Sequence, residues 1–121
     1  VILRERDVEE QAAELLTRHG WYSLKTDAGN VRRGQGKAGD LPSGWPDMVF
    51  FLSLGDDLLC LAAIIEMKTV KGKVRPDQTA LHGELRMLYR LPVQIVRDPE
   101  EVHAVIERGR QLRRLLGGGR W

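Results

Sequence analysis

The chain holds a single cysteine, Cys60, in 121 residues, so no internal disulfide cross-links it. Cys60 stands inside an apolar run, where a small buried thiol is the expectation. No apolar run approaches the roughly 18–20 residues of a membrane span, so no membrane partner is expected. The first seven residues carry charges, which argues against a secretory leader and for an intracellular, cytoplasmic protein. The three histidines, His19, His82 and His103, have no metal-ligand spacing with one another and read as surface or cap residues. No phosphate loop, zinc cluster or nucleophilic triad is visible.

What is there suits one soluble globular domain: 42% hydrophobic and 30% charged residues over a length sufficient for a single core. The net charge of +2 excludes little, but its distribution is uneven. No acid follows Glu107, while Arg108, Arg110, Arg113, Arg114 and Arg120 do. Arg32, Arg33 and Lys37 make a second basic group among glycines, and Lys71, Lys73 and Arg75 a third. Clustered cations of this kind can track a phosphate backbone, or simply line a solvated helix face and a loose tail.

Along the chain, residues 4–19 carry Val8, Ala12, Leu15 and Leu16 at helical spacing with Gly20 as the stop. A strand follows at 21–26, then a glycine-rich connection over 27–44 of a length that is usually functional or disordered. Two apolar runs, 48–54 and 58–68, flank a Gly-Asp-Asp turn and predict a hairpin. The second run is apolar at alternate and intervening positions alike, which predicts a central strand covered by helices on both sides. Pro76 opens a helix with a Leu81, Leu85 and Leu88 stripe; a strand follows at 93–96, and Asp98-Pro99 starts the last helix. The order is α-β-β-β-α-β-α: an α/β fold with one mixed sheet flanked by helices.

The chemistry concentrates in residues 44–68. Asp47 begins one hairpin strand and Glu66 lies near the end of its antiparallel partner, so the two acids reach the same end of the sheet. Lys68, two residues after Glu66, points the same way. Charges ending a buried strand need partners or a metal. Mg²⁺ keeps several waters and needs only one to three carboxylates; the Met67 carbonyl, and Glu5 or Glu9 from the first helix, complete a candidate ligand set. Such a centre suits phosphodiester hydrolysis, with Lys68 orienting the nucleophile. A lone Pro-Asp or Glu-x-Lys is weak; the joint pattern is much stronger.

Pro46-Asp47 followed by Glu66-Met67-Lys68 resembles the PD-(D/E)XK motif of the restriction-endonuclease-like nucleases. More closely, the chain is similar to the VRR-NUC family, the virus-type replication-repair nucleases. The likeness rests on Glu5-x-x-Val8, Gly44-x-Pro46-Asp47, the Glu-x-Lys strand, Arg75-Pro76-x-Gln78 and Asp98-Pro99. It covers about residues 4–107 of a single domain, with 108–121 as a basic tail. It implies a restriction-endonuclease-like core and Mg²⁺- or Mn²⁺-dependent DNA cleavage. Asp47 and Glu66 would be metal ligands, Lys68 the catalytic lysine, Gln78 an active-site polar residue and Glu5 the helix carboxylate. One departure is Glu9, which stands where the family often has glutamine; related archaeal junction-cleaving enzymes would favour it over Glu5, the preferred choice. Stand-alone members of a prokaryotic or phage type imply a homodimer acting on Holliday junctions or other branched DNA. The basic groups at 32–37 and 71–75 are the expected DNA contacts. The alternatives are a flap or other nuclease, a non-catalytic DNA-binding module, or a structural subunit.

Overall fold

A computed structural model describes residues 2–26 and 41–117. Helix α1 (Glu5–Arg18) starts where Asp7 turns back on Arg4: its carboxylate accepts from the Arg4 backbone N–H at 3.2 Å and from the Arg4 side chain at 3.3 Å. The contact satisfies a donor that the start of a helix leaves without an intrahelical partner. Val8, Ala12 and Leu16, four residues apart, form its fully buried face.

Four strands follow in one sheet: β1 (Tyr22–Lys25), β2 (Met48–Ser53), β3 (Cys60–Met67) and β4 (Val93–Val96). Their spatial order is β1-β2-β3-β4; the first two pairings are antiparallel and β3–β4 is parallel. The β2–β3 hairpin is closed by Asp56, whose carboxylate accepts from the N–H groups of Leu58 at 2.7 Å and Leu59 at 2.8 Å. A parallel pair needs a crossover, and helix α2 (Pro76–Tyr89) supplies it. A 3₁₀ turn (Pro99–Glu101), capped by Asp98, leads into helix α3 (Val102–Gly117). The element order agrees with the sequence expectation, and no described helix is long and apolar enough to cross a membrane.

The core lies on one side of the sheet. Phe50, Leu52, Ile65, Met67 and Val96 face Val8, Ala12 and Leu16 of α1 and Val102, Val105 and Ile106 of α3. Gly109 lets α3 approach closely: a Cβ there would drive into the Trp21 ring and touch Leu52.

Three expectations are corrected. β3 is central, but only its last residues, from Ile65 to Met67, are buried on both faces; Cys60 and Ala62 are exposed. The reason is that α1 and α3 stack on the same side, leaving α2 to cover only the Glu66 end of the other. Cys60 is therefore not a core thiol, and Leu88 faces solvent while Leu81 and Leu85 are buried. Residues 108–117 form the second part of helix α3, which packs on the core through Gly109.

Candidate active site

The hairpin register builds the site. Met48 pairs with Ile65, which sets Asp47 across from Glu66, one step nearer the sheet end. Asp47 is fixed at both its main chain and its side chain. Its carbonyl accepts from Thr26 N–H at 2.8 Å and its Oδ2 accepts from Met67 N–H at 2.9 Å. The Thr26 hydroxyl also donates to the Pro46 carbonyl. Gly44, at φ +85°, lets the Trp45-Pro46-Asp47 segment lie against the first turn of α2; a Cβ there would overlap the Asp77 carbonyl. Ser43 Oγ donates to Asp77 Oδ2 at 2.9 Å and closes the same contact.

Glu66 is 1% exposed and adjoins Asp47. Burial, then the hydrogen bond and the charge of Asp47, push its carboxyl up to about 9, against the opposing pull of Lys68. At neutral pH Glu66 therefore keeps its proton. Lys68 is also buried, and its N–H donates to the Val96 carbonyl at 2.9 Å, which anchors the residue at the end of the central strand.

The two helix acids separate. Glu5, on the exposed first turn of α1, lies within electrostatic reach of Asp47 and Lys68; desolvation first, and then Asp47, raise its carboxyl above the usual range. Glu9 is buried and its Oε1 pairs with Lys25 Nζ at 2.7 Å. Gln78 is buried too, with its Oε1 accepting from Arg75 N–H at 2.9 Å as a helix cap. That bond occupies one end of its amide.

His82 overturns the surface reading. Its side chain is 14% exposed and its Nε2 stands 3.9 Å from Glu66 Oε1. Neither atom has a hydrogen-bond partner although both are buried. Desolvation, then Lys68, lower its pKa and hold the ring neutral at neutral pH. The signal was its spacing: His82 falls four residues after Gln78, on the same face of α2. The other two histidines behave as read, His19 capping α1 and His103 pairing with Glu100 at 2.8 Å on the surface.

Of the basic groups, Arg32, Arg33 and Lys37 lie outside the described residues. Lys71 and Lys73 are exposed on the connection between β3 and α2, and Arg75 pairs with Asp77 at 3.2 Å. Arg97, which no sequence pattern marks, ties that connection down. Its Nη1 donates to the carbonyls of Thr69 at 2.8 Å and Gly72 at 2.6 Å, so Lys71 and Lys73 ride on a fixed turn.

Among the described residues no group of three or more His, Cys, Asp or Glu side chains is arranged to hold a metal. The convergent set is two carboxyls, Asp47 and Glu66, with the Met67 main chain between them and Glu5 at the rim. The chain matches no family model, and comparisons with curated proteins and with solved structures return no match.

Proposed function

We propose that this chain is a metal-dependent DNA endonuclease of the PD-(D/E)XK type, with the VRR-NUC pattern, acting on branched DNA as a homodimer. The observation that carries the reading is the juxtaposition of Asp47 and Glu66 across the β2–β3 hairpin with a buried Lys68 two residues on. A structural α/β domain gains nothing from collecting two carboxyls and an amine at one buried sheet end, because each costs desolvation energy.

The donor set fits a hard divalent cation. Asp47 and Glu66 offer oxygens, the Met67 carbonyl offers another, and buried Glu66 Oε1 has no hydrogen-bond partner. Glu5 is the nearer helix carboxylate, since Glu9 is engaged with Lys25. Mg²⁺ or Mn²⁺ bound there supplies a more acidic water and charge neutralisation on a scissile phosphate.

The chain's own groups do the rest. The Met67 N–H holds Asp47 Oδ2, which fixes the carboxylate beside Glu66. The Lys68 side chain, beside Asp47 and Glu66, offers N–H donors to a phosphate oxygen or an attacking water. Neutral His82 presents Nε2 toward Glu66 and is a candidate to hold the group bound there. Lys71 and Lys73, on the turn fixed by Arg97, extend positive charge beside the centre for neighbouring phosphates. A homodimer supplies the second site needed to cut two strands symmetrically.

Purified protein with Mg²⁺ or Mn²⁺ is expected to cut labelled four-way junction or flap DNA. Lys68→Ala is expected to lose at least about 100-fold in rate, the scale of removing a positioned proton-transfer or charge-stabilising group. No cleavage of any junction, flap or linear DNA, or full activity in Lys68→Ala, would overturn the reading. Sedimentation of the active form as a monomer would remove the dimer from it. Binding without turnover in either metal would favour the non-catalytic module.

A further inference from the structure

A second polar concentration lies at the other end of the sheet. Helix α3 passes the end of β2, where Arg113 Nε donates to the Ser53 carbonyl at 2.9 Å. Arg110, Arg113 and Arg114, at positions i, i+3 and i+4, share one helix face. They border a recess of about 210 Å³ floored by Trp21, Leu52 and Ile106, with His19 on its remaining side. Arg108 falls on a different face of α3 and hydrogen-bonds Gln111 at 3.3 Å, so the arginines that crowd together in the sequence divide in space. Measured along β2, the recess lies about 20 Å from Asp47, six residues at about 3.3 Å each.

The arrangement is oriented toward an anion. The last turn of a helix accounts for one cation, since its carbonyls carry partial negative charge, but not for three around one recess. Glu107 meets Arg110 at 3.3 Å with both side chains about half exposed, a geometry that holds little energy. Arg113 is set in direction by its bond to Ser53. The His19 Nδ1–H donates to the Leu15 carbonyl at 3.0 Å, which holds the ring at the edge of the recess. An apolar floor beneath guanidinium groups lowers the local dielectric and strengthens their attraction for a phosphate, to which arginine donates in pairs.

We infer that this recess is a phosphate site for a nucleic-acid strand, at the end of the sheet opposite Asp47. The inference rests on the nuclease reading for the nature of its ligand. Arg110 and Arg114 hold the phosphate oxygens, Arg113 braces the recess from Ser53, and Trp21, Leu52 and Ile106 form the wall against which the sugar lies.

The test is an NMR titration of the ¹⁵N-labelled full chain in EDTA, following the Trp21 indole and Arg113 Nε–H signals. The probes are a short DNA duplex and, separately, inorganic phosphate. DNA is expected to shift both signals, and the double variant Arg110→Gln/Arg114→Gln to bind at the recess at least about tenfold more weakly, two charge-assisted bonds being lost. Both substituted side chains are exposed, so the variant is expected to keep the amide spectrum of the folded chain. Shifts confined to the surroundings of Asp47 and Lys68 would overturn the recess and leave the nuclease reading intact. Shifts with phosphate but not with DNA would make the ligand a free anion and overturn the nucleic-acid assignment. No shift with either probe, or equal shifts in the double variant, would overturn the site altogether.

Discussion

Glu66 is the most deeply buried ionisable residue among those described. Buried beside Asp47, it carries a carboxyl displaced from 4.5 to about 9. In the unfolded chain it titrates near 4.5, so between those values the folded state holds a proton that the unfolded state has released. Stability then falls as pH rises through that window, with a slope of up to about 1.4 kcal/mol per pH unit from this one group. The contribution is fully present below 4.5 and lost by about 9. Denaturant melts in EDTA between pH 5 and 9 are expected to show that slope in the native protein and its disappearance in Glu66→Gln; an unchanged slope in the variant would refute the assignment. The placement of Asp47 and Glu66 was legible from the sequence, because a hairpin fixes which of its residues meet. His82 and Arg97 were not: a histidine read as a surface residue and an arginine in no motif carry no mark of the neighbours that the crossover brings to them. Nor could spacing alone divide Glu5 from Glu9. The Lys25 partner that engages Glu9 comes from a different strand.

Among the elements, the helices and strands followed from caps, turns and periodicity, all of which are local. What the periodicity could not convey is which side of the sheet each helix takes. The run in β3 is apolar at every position from Cys60 to Ile65, a pattern that alone implies cover on both sides. Here α1 and α3 share one side, and the first half of β3 keeps an open face. Packing of α3 depends on Gly109, whose missing Cβ makes room for Trp21, whereas Gly83 in α2 has nothing within 4 Å of the place a Cβ would occupy. The same substitution should therefore have opposite signs in the two helices. Gly109→Ala is expected to cost about 1–3 kcal/mol by overpacking. Gly83→Ala is expected to add about 0.5–1 kcal/mol through helix propensity. Urea midpoints with unchanged slopes read both. A Gly109→Ala protein as stable as the parent would mean that α3 does not sit against Trp21 as described.

For the whole molecule, the sheet acts as a ruler. Its carboxyl end gathers Asp47, Glu66, Lys68, Glu5 and His82 from three elements and the strand ends between them, while the opposite end carries the arginine-bordered recess beside Trp21. The two stations stand about 20 Å apart along β2. A strand of B-form DNA places successive phosphates about 3.4 Å apart along the helix axis, so that span corresponds to about six nucleotides. Fragments shorter than this can occupy one station at a time, and each added nucleotide brings only its own contact. Once a fragment reaches from one end to the other, a second contact joins at the effective concentration of a tethered group. Affinity measured against oligonucleotide length is therefore expected to rise in a step near that length, and the step is expected to vanish in Arg110→Gln/Arg114→Gln. The length of the central strands would then set a minimum footprint on the substrate, a property written in residues that never touch DNA.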